Sequence, residues 1–325
     1  MDKKNKPLVI CIVGPTASGK TALSVELAKE LNGEIISVDS MQIYKNLSVG
    51  TAKVTKEEMK NIKHHLIDFV DLEEEFSVAD FKKLATQKIE EILSKKKIPI
   101  LVGGTGLYMS AIIDDMDFKE EKVDVDYREN LYSLAKENGN KFVHKMLEEV
   151  DPISASEIHP NNLKRVIRAL EINRAGSKKS SHIENEKLRI ENNDSKYDFM
   201  LFCTYFPKEI LDERINKRVD VMIQNGLEKE ARLVYNLKKG TVRQAVGYKE
   251  FFEYFESKKS LNEVIEEIKL RTRQYAKRQN TWFKKMKNVN YIDMQDGIDS
   301  AKNKIMERIY ERESSICRRW VKWKY

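Results

Sequence analysis

The sequence predicts an α/β protein, built on a doubly wound parallel sheet with a helical insertion and a helix-rich C-terminal part. Three observations lead there. Short apolar runs alternate with helical periodicity over the first hundred residues, as expected for strands buried between two helical layers. A glycine-containing loop separates the first apolar run from the first helix. From residue 124 to 175 the strand pattern vanishes and only helical spacing remains.

Each element follows from its local pattern. Leu8 to Val13 is a continuous apolar run and reads as the first strand. Leu23, Leu27, Ala28 and Leu31 then recur at helical spacing within Thr21 to Leu31. Glu34 to Val38 is a short second strand. Ser77 opens an amphipathic helix reaching Lys97, with Asp80 three residues on as its capping partner. Ile98 to Val102 is a third strand, with Pro99 near its start where a sheet tolerates it. Residues 124 to 175 are helical, and Ala175 to Lys196 is polar and aperiodic, a loose linker. Phe199 to Cys203 returns as a strand, amphipathic helices run from Pro207 to Lys287, and Val289 to Asp293 is a last strand. The expected division is 7–122 for the first part of the core and 123–197 for the insertion and linker. It continues with 198–312 for the return to the core with basic helices, and 313–325 for a basic, aromatic tail that reads as a frayed end.

Composition removes several classes. With 325 residues, 41% hydrophobic and 34% charged, the chain can build a sizeable core under a wet surface. A mean hydropathy of -0.58, without an apolar run near the ~18 residues that suggest a membrane span, argues against a membrane protein. The run from Pro7 to Gly14 lacks a small-residue cleavage site and reads as a strand rather than a signal peptide. Cys11, Cys203 and Cys317 are odd in number and scattered, which offers neither a disulfide framework nor a zinc cluster. A cytosolic protein is expected. Residues 1–150 carry a net charge of -4 and residues 151–325 a net of +11, so the second half is the one suited to a polyanion.

Gly14-Pro15-Thr16-Ala17-Ser18-Gly19-Lys20-Thr21 fits G-x-x-x-x-G-K-[ST] between a strand and a helix, the context of a P-loop. The glycines let the backbone curl so that its N–H groups point at phosphate oxygens, and the helix dipole adds to the attraction. Lys20 brings a mobile cation to the terminal phosphate, and the Thr21 hydroxyl can ligate Mg²⁺. The core is therefore expected to be P-loop NTPase-like. The loop does not name its ligand, because ATP and any other diphosphate present the same oxygens.

Asp39, at the end of the second strand, should project beside that loop, since ligands bind at the carboxyl ends of parallel strands. It can hold Mg²⁺ through water, act as a general base, or merely cap the following turn. Gly103-Gly104-Thr105-Gly106 follows the third strand at the same edge. Adjacent His64 and His65 point opposite ways in an extended stretch and cannot share one metal. Met109 and Ile112 suit either a ligand border or the core, while Phe251, Phe252 and Phe255 read as core. On the helix from Leu163, the residues Lys164, Arg165 and Arg168 form a basic face, while Leu163, Val166, Ile167 and Leu170 face inward. From Lys269 to Lys287 there are eight basic residues and no acidic ones, interleaved with Tyr275, Trp282 and Phe283, which favours an RNA backbone as partner.

Several blocks stand in a fixed order: Gly14 to Thr21, Asp39-Ser-Met-Gln-Ile-Tyr44, His64-His-Leu-Ile-Asp68 and Gly103 to Tyr108. They continue with His159-Pro160 and Asn162 running into Lys164 to Glu171, then Gln244-Ala-Val-Gly-Tyr-Lys249 and Ala276-Lys-Arg-Gln279. Together they resemble the bacterial tRNA dimethylallyltransferases, or tRNA isopentenyltransferases, from about residue 7 to 295. The resemblance implies transfer of a dimethylallyl group from its diphosphate to N6 of the adenine just 3′ of the tRNA anticodon. It implies that Thr16 to Thr21 line the donor diphosphate, that Asp39 is the base, and that Arg218 and Thr16 belong to the catalytic channel. It places Ser40, Met41, Gln42, Thr105, Arg128, Lys164 to Arg168 and Gln244, Ala245, Val246, Gly247, Tyr248 and Lys249 against tRNA. Mg²⁺, the anticodon stem-loop and dimethylallyl diphosphate are the implied partners, with a monomer expected. Competing readings are a P-loop kinase of a nucleotide or metabolite, an isopentenyltransferase acting on free nucleotide, and a nucleotide-switched RNA-binding protein. The positive second half and the Gln244–Lys249 block argue against the first, and the helical insertion against the second. The intact Asp39 argues against the third.

Overall fold

The computed structural model describes residues 6–116, 118, 124–176 and 195–316. The chain forms two compact units, one of Met1–Ile113 with Lys196–Tyr325 and the other of Asp114–Ser195. The tail from Cys317 and the linker 177–194 lie outside the described residues.

The first unit holds a six-stranded sheet with every pairing parallel, in the order β3-β2-β4-β1-β5-β6. Its strands are β1 (Leu8–Val13), β2 (Gly33–Ser37), β3 (His64–His65), β4 (Ile98–Gly103), β5 (Asp198–Tyr205) and β6 (Val289–Asp293). The two-residue β3 escapes the sequence reading because two histidines show no alternation. The helices of this unit are α1 (Lys20–Glu30), α2 (Lys56–Met59), α3 (Val78–Ser94) and α4 (Gly106–Ile113). After the insertion come α9 (Lys208–Gln224), α10 (Leu227–Tyr235), α11 (Phe252–Phe255), α12 (Leu261–Phe283) and α13 (Gly297–Ile316).

Period-two alternation in β1 sends its side chains into two cores. Val9, Cys11 and Val13 pack with Phe81 and Ile89 of α3, Met109 of α4 and Phe283 of α12. Ile10 and Ile12 pack with Leu23 and Leu27 of α1 and with Ala301 and Ile305 of α13. Met109 and Ile112 are thus core residues, which settles their two readings. Phe251 is fully buried in a third cluster with Tyr44, Val219 and Ile268, against which Phe252 and Phe255 pack. Cys11 and Cys203 are buried free thiols, and burial pushes both thiols up. The predicted capping of α3 is present, with Ser77 and Asp80 exchanging bonds as a capping box. No helix among the described residues is long and apolar enough to cross a membrane.

The second unit is helical: α5 (Val125–Asn138), α6 (Asn140–Val150), α7 (Pro152–Glu157) and α8 (Leu163–Arg174). Leu131, Val143, Leu147, Val166 and Leu170 form its core.

Candidate active site

The loops leaving the carboxyl ends of β1, β2 and β4 border one cavity of about 1000 Å³ in the first unit. Thr16 to Thr21 line it, whereas Gly14 and Pro15, expected at the diphosphate, are not among its lining residues. Gly14 adopts φ +145°, and a Cβ there would lie 2.5 Å from the Thr204 hydroxyl and 2.6 Å from its carbonyl. Only glycine fits so close to β5. Ala17 sits at φ 63° and Gly19 at φ 85°, curling the loop ahead of α1. Ser18 is fully buried. Its hydroxyl donates to the Pro15 carbonyl at 2.8 Å and lies 2.7 Å from the Thr204 hydroxyl, so it braces the loop instead of reaching a phosphate. Ala17 likewise packs into an apolar cluster with Leu211, Ile215 and Ala276. Both residues line the cavity, and their side chains shape the loop whose backbone N–H groups are the donors expected for a phosphate.

Lys20 folds back so that Nζ donates to the Pro15 carbonyl at 2.5 Å. Burial first, and then repulsion from Arg218, pushes its ammonium down to about 7, against the attraction of Asp39. Arg218 of α9 donates to the Thr16 hydroxyl at 3.3 Å. One turn earlier Arg214 donates from Nε to the Ala17 carbonyl at 2.9 Å and stacks over Phe206. Arg214 belongs to no sequence motif, although its i, i+4 spacing from Arg218 marks the same helix face.

Asp39 lies two residues beyond β2, on the turn rather than at the strand end. Its Oδ1 accepts from the Met41 N–H at 2.8 Å and the Gln42 N–H at 3.2 Å, so the capping role is real. Asp39 also lines the cavity, where burial raises its carboxyl above the ordinary value against the pull of those amides and of Lys20. Ser40 is held by its N–H on the Thr105 hydroxyl at 3.1 Å, and Thr105 N–H reaches the Val38 carbonyl at 3.3 Å. A Cβ on Gly103 would come within 1.9 Å of that Val38 carbonyl, so the β2 and β4 loops can meet only through glycine. Met41 and Gln42 also line the cavity, with the Gln42 amide donating to the Thr51 and Ala52 carbonyls.

Gln244, Ala245, Val246, Gly247 and Lys249 form a further wall. Tyr248 does not. It is 1% exposed, and its hydroxyl donates to Glu230, which also accepts the N–H groups of Val49 and Gly50. The tRNA contact expected of the Tyr248 side chain is therefore replaced by a structural one. His64 lines the cavity, while His65 turns away to a buried pair with Glu34 at 2.7 Å, opposite directions as the extended backbone requires. Among the described residues no cluster of three or more His, Cys, Asp or Glu could hold a metal.

In the second unit, Lys164 and Arg165 are exposed on α8. Arg128 of α5 clasps Glu171 through two hydrogen bonds of 2.6 and 3.0 Å, and Arg168 reaches the same carboxylate at 3.4 Å. Val166 is 0% and Ile167 2% exposed, so the inward-facing reading of the helix holds and their side chains cannot touch RNA. On α12 the basic run divides. Lys269 pairs with Asp220 and Glu266, and Arg273 turns to Asn216. Lys277, Arg278, Lys284 and Lys285 are exposed.

Comparison with known proteins matches this arrangement to one family. A family model described as IPP transferase matches residues 42–286. A tRNA dimethylallyltransferase of Bacillus cytotoxicus is 48% identical over 303 residues, covering 93% of this chain and 95% of that relative. A Bacillus cereus protein of the same name is 47% identical, covering 91% of this chain and 93% of its own length. The crystal structure of the full-length tRNA isopentenylpyrophosphate transferase of Bacillus halodurans superposes with TM-score 0.69 at 42% identity, covering 95% of this chain and 99% of that one. A eukaryotic dimethylallyltransferase acting on tRNA gives TM-score 0.74 at 34% identity, covering 89% of this chain and 74% of that one. A match of this extent in both sequence and fold leaves one assignment, and the chain belongs to the IPP transferase family.

Proposed function

We propose that this enzyme transfers a dimethylallyl group from dimethylallyl diphosphate to N6 of the adenine 3′-adjacent to a tRNA anticodon, releasing diphosphate. One observation supports it above the others: a P-loop cation, Lys20, and a carboxylate of raised pKa, Asp39, line the same cavity. The names of the relatives point to tRNA prenylation and away from phosphoryl transfer. The reading also takes one copy to be sufficient, and it sets the work in the cytoplasm.

In this mechanism the N6–carbon bond forms as the allylic carbon–oxygen bond breaks, and the diphosphate leaves with the electron pair. The adenine amine is a poor nucleophile, its lone pair being delocalised into the ring. Asp39 takes the N6 proton as the bond forms, a contribution of roughly 10²–10⁴ in rate. Negative charge grows on the departing oxygens, where Lys20, Arg218 and the loop amides stabilise it. Magnesium fits as an ion carried in with the diphosphate, since Thr21 stands exposed at the cavity and the protein has no ligand cluster of its own among the described residues. Thr21 would hold it, and it would neutralise diphosphate charge. The target base must leave its stack to be reached, at a cost of a few kcal/mol met by contacts elsewhere on the RNA.

The test mixes protein, Mg²⁺, labelled dimethylallyl diphosphate and an anticodon stem-loop carrying that adenine, with AMP replacing the RNA and labelled ATP replacing the donor in parallel. Label is expected in the RNA alone. Label in AMP, or phosphate transferred from ATP, would overturn the proposal. A second result is expected from α12. Replacing Lys277 and Arg278 with alanine should weaken stem-loop binding and reduce its logarithmic salt slope by about 0.7–0.9 for each phosphate no longer neutralised. An unchanged slope would remove this face from the RNA footprint.

A further inference from the structure

Gln279 of α12 is 6% exposed and lies between the two halves of the reaction centre. Its Oε1 accepts the Thr16 N–H at 2.8 Å, and its Nε2 donates to the Gly104 carbonyl at 3.0 Å. A Cβ on Gly104 would stand 2.2 Å from that Nε2, so this close approach exists only because position 104 is glycine. The next residue, Thr105, holds the Ser40 N–H beside Asp39. A continuous polar chain thus runs from the diphosphate cradle through Gln279 to the turn that carries the base.

From this chain we infer that Gln279 is a positioning residue for the transfer, setting the distance between the diphosphate cradle and the Asp39 turn. The inference rests on the function proposed above. Both bonds are made at the wall of the cavity itself, and an error near 1 Å in aligning reactants costs on the order of 100-fold in rate. An ordinary interior glutamine would contribute to stability alone.

Two substitutions separate the alternatives. Gln279→Met keeps length but has no amide. With rates taken per folded, RNA-binding molecule, its kcat should fall by about 10- to 100-fold while the KM for stem-loop stays near wild type. Gln279→Glu keeps both bonds only when protonated, so its rate relative to wild type at the same pH should rise as pH falls. A Gln279→Met kcat within about 2-fold of wild type, or a flat Gln279→Glu ratio across pH, would overturn the inference. A wild type that leaves the stem-loop unlabelled would instead defeat the proposed function itself, so the two failures are distinct.

Discussion

Asp39→Asn is expected to lower kcat for prenylation by about 10²–10⁴ while the folded structure and stem-loop binding persist. The asparagine carbonyl can still accept from Met41 and Gln42, so the turn is kept and only the proton acceptor is removed. The pH profile gives a second readout. A base works when ionised, so activity should fall as pH drops through the carboxyl pKa. Burial raises that pKa, which places the acid limb above the range of an ordinary carboxylate. In Asp39→Asn the limb should vanish along with most of the rate. A variant within about tenfold of wild type at every pH would show that the proton goes elsewhere.

The second large effect is expected at the cradle. Lys20→Met should reduce kcat by about 10²–10³, the usual cost of removing one donor from developing charge. Lys20 also predicts a linkage. In the free protein it sits at about 7, so it is largely neutral above that pH. A bound diphosphate favours the ammonium and raises its pKa. Donor binding above pH 7 should therefore take up a proton, and affinity should weaken as pH rises from that point. Calorimetry of donor binding in two buffers of different ionisation heat measures the uptake directly. The uptake should disappear in Lys20→Met, and equal heats in both buffers for wild type would contradict the shifted lysine.

Much of this site was legible in the chain because a few residue types carry their geometry with them. Gly14, Gly19 and Lys20 announce a phosphate cradle, since only glycines permit that backbone and a lysine follows them into a helix. The apolar run of β1 likewise announces a strand covered on both faces, which the cores around Val9 and Ile10 bear out. Partnership across long separations was not legible. Nothing local distinguishes Ser18, whose hydroxyl is taken by Thr204, from a phosphate-contacting serine. Nothing local shows that Tyr248 is held inside by Glu230, or that Arg273 bends to Asn216 while Lys277 stays out. Helical periodicity did place Val166 and Ile167 inside, overriding the RNA-facing role that the resemblance implies for the whole stretch.

The wiring of the cradle also bears on synthesis. Ser18 is braced by Thr204, 186 residues downstream, and Thr16 by Gln279, 263 residues downstream. β1 must wait for β5 to gain its second neighbour in the sheet. Such distant closures make assembly slow and leave the early strands exposed while the ribosome is still at work. A polypeptide released before Gln279 has emerged would carry the whole P-loop signature and yet lack the tethers that shape it.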